Sequence, residues 1–487
     1  QVCKRTYVRY IYLIKRKDHI MKKVSKIIAI LCMTALIFGL VACAGPAAPA
    51  TPPAEVPPPP EAPPPPAAPE TPTEDADDGR VIITYMFWGD EEEVNNVTAL
   101  LDEFNASQDR ITAVPEPVDR DDIAEILVAR ATAGNLPDTG MLSEPLAINW
   151  AQAGFIEAPP LQETPRDLIS FRWEGETVAY SSCVVQLAMY YDIDRFDAAG
   201  VDLPPKTAAT AWDWDSFVDT AKSLTFDANG NDAHSSNFDR DNVETYGFYL
   251  EPAVWQLEAW TISNGGGFFN PNDWSDVIIN SPESAEAIQR IADLHLVHGV
   301  SPRYATWPAD SIDTWFLEEN VAMAVNGTWS IGVWMSPARD DHGLNYSVAV
   351  LPSMGRPVTM ATAGLAVMYA GSDHPAEAAE FLTWYVQNSG FLIDIGIWMP
   401  RYERMFTNEA DMDWAKTPAY PPFEDFKPAV IDYSANNAVS AAWHWVPNME
   451  FFLDELATAL APVWAGDMTA QEALDAAHPA LVAAVRG

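Results

Sequence analysis

Aromatic side chains recur in this chain beside carboxylates, amides and glycines. That pairing suits a ligand with apolar faces and a rim of hydroxyls. The sequence holds 18 Trp, 16 Tyr and 20 Phe. An indole or phenyl face packs on apolar C–H surface, while Asp, Glu, Asn and Arg groups hydrogen-bond the hydroxyls around it. Core packing accounts for most of these rings, so the candidates are those set next to polar groups and turns. Trp88 closes an apolar run and is followed by Gly89, Asp90 and Glu91. Trp260 and Asn264 precede Gly265-Gly266-Gly267, a turn that lets backbone approach a ligand closely. Trp329 follows the flexible pair Asn326-Gly327, and Trp443 and Trp445 share a late loop.

Other constellations are incomplete. Asp227 to Asp232 looks like a calcium loop, but glycine falls at its fourth position instead of the sixth and no ordered glutamate closes it. His295 and His298 are three apart on an expected helix without the glutamate of a metalloprotease motif. The chain has no Walker loop and no Gly-x-Ser-x-Gly. No metal and no cofactor is expected.

The elements that must hold these residues are read from pattern. Val81 to Trp88 is an apolar, β-branched and aromatic run, which suits a buried strand. A helix should follow, with Val94, Val97, Leu101 and Phe104 at helical spacing and acidic residues in its first turn. A second helix is expected over 121–133, ended by Gly134, and a strand over Thr139 to Leu142. Strand, helix, strand is the grammar of an α/β lobe. Asn280-Ser281-Pro282-Glu283 reads as a helix start, and Thr469 with Glu472 as the capping box of a last helix.

At 487 residues the chain is long enough for two medium lobes. The first 80 residues do not belong to them. Residues 1–20 read as an extension upstream of a start at Met21, and residues 21–42 as a lipoprotein signal peptide. This segment has basic Lys22, Lys23 and Lys26, then an uncharged run to Leu40, shorter than a membrane span needs. Leu40-Val41-Ala42-Cys43 resembles a lipobox, with Cys43 the lipidated residue. Residues 43–79 form a Pro-rich linker in extended conformation, reaching roughly 100 Å. With the leader removed, Cys183 has no partner for an internal disulfide. The net charge of −41 repels nucleic acid phosphates and anionic lipid heads.

Several segments resemble, in order, the bacterial extracellular solute-binding proteins of carbohydrate importers (family 1), the group that includes maltose-binding protein. They are the Ile82 to Trp88 strand, Ala131-Thr132-Ala133-Gly134-Asn135-Leu136-Pro137-Asp138, and Trp150 to Ile156. Tyr190-Tyr191-Asp192 follows, with Phe196, Gly200 and Pro204-Pro205-Lys206-Thr207. Next come Asn264 to Gly267, Ala322 to Trp329, Leu351-Pro352, Pro375 to Leu382, and Gly466 to Leu474. Asp192 replaces the family's usual asparagine, and residues are inserted between Thr207 and Trp212.

The resemblance implies a periplasmic-binding-protein fold (type II-like) with two α/β lobes and a ligand cleft between them. Lobe 1 would span 80–184 with 364–395, and lobe 2 would span 185–363 with 396–487. Hinge crossings are expected near Val184 to Leu187, near Thr362 to Gly364, and between Asn388 and Pro400. It also implies that Trp329 stacks on the ligand and that Ser143 and Glu144 lie where relatives place a sugar-binding carboxylate. Leu142 stands where maltose-binding protein has a stacking tryptophan. Trp398 and Arg401 lie where the chain returns to the second lobe.

The implied function is substrate binding for an ATP-binding-cassette importer, by a monomer held at the membrane through Cys43 and outside the cytoplasm. Its implied partners are a carbohydrate and the permease subunits, with no nucleic acid. The rival readings are another ligand (polyamine, glycerol phosphodiester or peptide) and a secreted glycoside hydrolase, which needs two carboxylates in an aromatic groove.

Overall fold

A computed structural model describes residues 79–89, 91–119, 122–158, 166, 169–251, 253–303, 312–318, 320–362 and 364–486. The chain divides into two units, Gln1–Glu74 and Asp75–Gly487, and every described residue belongs to the second. The leader, Cys43 and the linker apart from Gly79 lie outside the described residues, as do Asp90 and the side chain of Glu91. Among the described residues, no helix is long and apolar enough to cross a membrane.

The first sheet begins with β1 (Val81–Trp88), β2 (Ile111–Val118) and β3 (Thr139–Leu142). The short β4 (Ile156–Glu157) and the pair β5 (Ser170–Trp173) and β6 (Glu176–Ser181) follow. β1 runs parallel to β2 and β3, in register from Val81 opposite Ile111 to Trp88 opposite Val118. One face of β1 is buried at Ile83, Tyr85 and Phe87; on the other Met86 is buried and Ile82 is 41% exposed. Ile83, Tyr85 and Phe87 meet Val97, Leu101 and Phe104 of helix α1 (Glu91–Ser107), while Met86 joins a different cluster. Each such side chain, fully buried, contributes about 1.5–3 kcal/mol. Helix α2 (Ile123–Ala133) begins two residues later than the spacing suggests and ends at Gly134, which takes φ +71° as its cap. Glu174 and Gly175, at φ +51° and +86°, make the two-residue turn between β5 and β6.

The second sheet starts with β7 (Val185–Asp192), buried along its whole length. The small hairpin β8 (Phe226–Asp227) and β9 (Val243–Thr245) stands apart. β10 (Tyr249–Leu250) belongs to the second sheet, whereas β11 (Phe269–Asn270) and β12 (Asp273–Val277) form another hairpin. The sheet is completed by β13 (Met323–Gly327), β14 (Tyr346–Ala349), β15 (Thr359–Thr362) and, late in the chain, β17 (Ala438–Ser440). Its order is β10-β13-β7-β15-β17, with β14 also on β7. β16 (Leu365–Tyr369) returns to the first sheet, between β3 and β6.

The chain therefore changes sheet between Ser181 and Val185 and changes back between Thr362 and Leu365. These passages lie against a third one. Ser182 N–H donates to Gly364 O at 2.8 Å, and Val184 and Met399 exchange backbone bonds of 2.9 and 3.0 Å.

The remaining long helices are α3 (Trp214–Ser223), α4 (Val254–Ser263), α5 (Pro282–Leu296), α6 (Pro375–Asn388), α7 (Met449–Ala465) and α8 (Ala470–Arg486). Ser281 caps α5 through Ser284 N–H, with Pro282 at its first position. Thr469 and Glu472 bond reciprocally before α8, as the capping box requires.

Helix α4 is buried on nearly every side and carries a carboxylate inward. Glu258 is 2% exposed, and its Oε2 accepts from Ala442 N–H at 3.0 Å. Burial pushes this carboxyl up to about 8, against a lowering by the Ala442 bond. A carboxyl raised from an unfolded value of 4.5 binds its proton more tightly in the folded state. Its stabilising contribution is complete below 4.5 and is lost as pH rises through about 8. Glu258→Gln should remove that part of the pH dependence and raise stability at pH 9. The effect amounts to several kcal/mol, at about 1.4 kcal/mol per pKa unit. Chemical denaturation of both proteins between pH 5 and 9 checks this; parallel profiles would show that Glu258 is ionised in the folded protein.

Candidate functional site

In α/β sheets, ligands gather at the carboxyl ends of strands, where loops diverge. In the first sheet these ends are Trp88 on β1 and Leu142 on β3. Gly140 lets the two strands approach, since a Cβ there would run into the Met86 carbonyl. After Leu142 the chain turns through Ser143 into a short 3-10 turn, Glu144–Leu146. Trp88, Ser143 and Glu144 are all half-buried.

A second carboxylate stands close by. Glu93, in the first turn of α1, lies against Gly89, where a Cβ would meet Glu93 Oε2 at 2.9 Å. Both glutamates bear on Cys183 at the first passage between sheets. Burial is the main force pushing the Cys183 thiol up to about 12. The Gly364 N–H and Arg401 oppose it, while Glu144 and Glu93 add to it. The carboxyl ends of β1 and β3 thus converge on the passage. Glu93 was missed in the sequence because an acidic first turn is an ordinary helix feature.

The second sheet supplies an indole pair. β10 leads to Glu251, half-buried, whose carboxyl burial pushes up. The chain then enters α4, which carries Trp255. β13 ends at Gly327, and Trp329 follows. The Trp255 and Trp329 rings lie 5.4 Å apart at 39°. Both are half-buried.

Trp329 is placed by its backbone. Thr328 N–H donates to Gln186 O at 2.9 Å, and Gln186 N–H donates to Thr328 Oγ1 at 3.2 Å. Tyr190 Oη donates to Gly327 O at 2.9 Å. Trp329 packs against a cluster that joins first-sheet and α1 residues to α6, to Val185 of β7, and to Leu392, Ile397 and Trp398, although its own strand belongs to the second sheet. Trp88 leans on the same cluster. Trp255 escaped the sequence reading because nothing separates it from a core residue of an apolar helix.

The other expected site residues hold structure together. Trp260 is 1% exposed and sits edge-on to Trp214, at 5.8 Å and 78°. A side chain so buried offers no face to a solute. Asn264 caps α4 and donates to Glu283 O at 2.7 Å and Glu286 Oε2 at 3.2 Å, tying α4 to α5. Trp398 is in the first-sheet core. Arg401, also buried, donates to Ser182 O at 3.2 Å and to Val386 O, and so pins the passage. Trp443 is buried, and its Nε1 donates to Thr362 Oγ1 at 3.1 Å. Trp445 is half-buried and stacks on Trp274, at 5.9 Å and 4°.

The calcium-like loop is closed by its own donors. Asp227 accepts from the N–H groups of Asn229, Asn231 and Asp239 at 2.8–2.9 Å. Burial would raise this carboxyl, but its hydrogen bonds, led by that from the Asn231 side chain, hold it well below the usual range.

A family model described as bacterial extracellular solute-binding protein matches residues 99–438. A binding protein of Brucella abortus is 23% identical over 313 residues, which is 59% of this chain and 70% of that protein. The cyclic α-maltosyl-1,6-maltose binding protein of Arthrobacter globiformis superposes with a TM-score of 0.66 at 24% identity. The match covers 84% of this chain and 100% of that one. An ABC substrate-binding protein of Listeria monocytogenes, in complex with cycloalternan, gives 0.66 at 20% identity, over 82% of this chain and 98% of its own. The fold is therefore the two-lobe α/β architecture of these proteins.

The Trp329 ring has a direct structural test. A Cβ on Gly327 would collide with the six-membered ring of Trp329 and with nothing nearer. Gly327→Ala should cost about 1–3 kcal/mol by overpacking. The same change in a Trp329→Ala background should cost distinctly less. Urea denaturation of the four proteins measures the coupling; equal costs in both backgrounds would place the ring elsewhere.

Proposed function

The chain belongs to the bacterial extracellular solute-binding protein family, and from that premise we propose that it is the substrate-binding component of an ATP-binding-cassette importer. It takes a sugar or oligosaccharide between two lobes and hands it to the membrane permease without transforming it. The observation that carries this reading is the position of Trp329. Its strand belongs to the second sheet, it packs on a cluster that joins first-sheet residues to Ile397 and Trp398 near the third passage, and the Trp255 ring lies 5.4 Å away. An indole at that junction gives the apolar face of a pyranose a surface to stack on. Glu93, Glu144 and Glu251 offer acceptors to hydroxyls on either side. The Arthrobacter and Listeria proteins, which share the fold, are associated with cyclic oligosaccharides.

The mechanism we propose is closure about the three passages. Lobe 1 comprises 80–184 with 364–395, and lobe 2 comprises 185–363 with 396–487. A sugar held by one lobe completes its hydrogen bonds only when the other arrives, and that differential contact favours the closed form. Membership of an extracellular family carries an extracytoplasmic location. The finer reading is a monomer anchored through lipid on Cys43, after removal of 21–42, with the Pro-rich stretch as its tether.

A thermal unfolding screen tests the ligand class. The panel holds mono- and oligosaccharides, polyamines and phosphorylated glycerols, and each mixture is then checked for ligand breakdown. A ligand at a hundred times its Kd adds about 2.7 kcal/mol. A shift with one sugar class, the sugar recovered intact and the shift abolished in Trp329→Ala, is the expected result. A shift with polyamines only, or a cleaved sugar, sinks the proposal.

A further inference from the structure

The two lobes are also tied away from the passages. Asn149 lies in the helix Ala147–Gln152, which packs on β4, β5 and β6 of the first sheet and on the Ala442–His444 turn. Asn448 is the residue before α7, which packs on α4, α5 and α8 and also on the Glu144–Leu146 turn after β3. Their side chains meet reciprocally. Asn149 Nδ2 donates to Asn448 Oδ1 at 2.6 Å, and Asn448 N–H donates to Asn149 Oδ1 at 2.8 Å. Asn448 Nδ2 donates onward to Val485 O at 3.2 Å, near the end of α8. Asn448 takes φ +56°, a left-handed conformation that asparagine tolerates better than most residues. That backbone turn accompanies its N–H bond to Asn149.

A second tie shows the contrast. Arg166, from the stretch between β4 and β5, donates to Glu403 at 2.7 Å and to Ser434 Oγ at 3.1 Å, and lies over the Phe406 ring. Its own N–H bonds Arg401 O, two residues from the passage at Met399. Rotation about the passages moves such a contact little. The asparagine pair belongs to none of the three passages. A 2.6–2.8 Å bond is lost once its atoms part by about 1 Å.

We infer that the Asn149–Asn448 amide pair is a latch for the arrangement of lobes described here, one that has to break before they separate. This rests on the proposed closure, to which the latch adds a contact made by the protein with itself. A contact present in one state alone shifts the population toward that state, with or without ligand.

The test uses the full chain without any sugar, so it stands whether or not the sugar reading does. Amide hydrogen exchange is followed at 441–452 and 144–152 in wild type, Asn149→Ala, Asn448→Gly and the double variant. Glycine accepts the backbone angle of residue 448, and Asn149→Ala leaves the Val485 bond intact, so both variants should fold. Two neutral hydrogen bonds correspond to roughly a five- to 150-fold change in an opening equilibrium. Each single variant should speed exchange in both segments by at least fivefold, and the double variant no more than the faster single. Small-angle scattering should show a larger radius of gyration in all three variants. Unchanged exchange in Asn149→Ala, multiplicative effects in the double variant, or an unaltered radius would overturn the latch.

Discussion

The structure depends on three passages of chain that hydrogen-bond to one another where the two sheets meet. Ser182 gives both its N–H and its hydroxyl to Gly364 O, each at 2.8 Å. Val184 pairs with Met399, and Arg401 reaches back to Ser182 O. Buried backbone groups need partners, and here each passage supplies those of its neighbour. No passage can shift alone without stranding polar groups of another. The passages thereby form one hydrogen-bonded bundle, with β7 on one side and the parallel core of the first sheet on the other. The indole at the junction is indexed to the same bundle. Gln186, at the start of β7, bonds Thr328 in both directions, so Trp329 holds its place relative to the passage.

This arrangement explains what could be read from the sequence. Local rules worked where local physics decides. The run Val81 to Trp88 is a strand with those bounds, as its β-branched and aromatic content suits. Gly134, Ser281-Pro282 and the Thr469–Glu472 box end or start helices as their capping chemistry requires. The start of α2 moved by two residues, since acidic residues before a helix do not state which of them is its cap. The candidate site was legible only in part. Trp88, Ser143, Glu144 and Trp329 end strands or follow them closely, and strand ends are visible in a pattern. Trp260, Trp398 and Trp443 have the same residue type and similar neighbours, yet they fill cores or hold the passage. What separates the two groups is which side of an element faces its neighbours, a property of tertiary packing. Trp255 shows the converse, a half-buried indole on a helix that is otherwise interior.

The charge of the site bears on the class of ligand it accepts. The chain is strongly acidic, and the polar groups gathered here at the sheet ends are carboxyls: Glu93, Glu144 and Glu251. An anion would have to overcome both. A cation would find partners, but it gains most from carboxylates that are fully ionised. Burial works against that at Glu251, whose proton is held more tightly than in an exposed glutamate. A carboxyl in that condition is less costly to cover with a neutral molecule, whose hydroxyls can donate to it. In the function proposed, the indole pair offers a surface to apolar faces, and the buried carboxyl favours a neutral ligand. These are independent demands, one from dispersion and ring geometry, the other from desolvation. A sugar meets both, whereas a polyamine or a phosphodiester meets at most one.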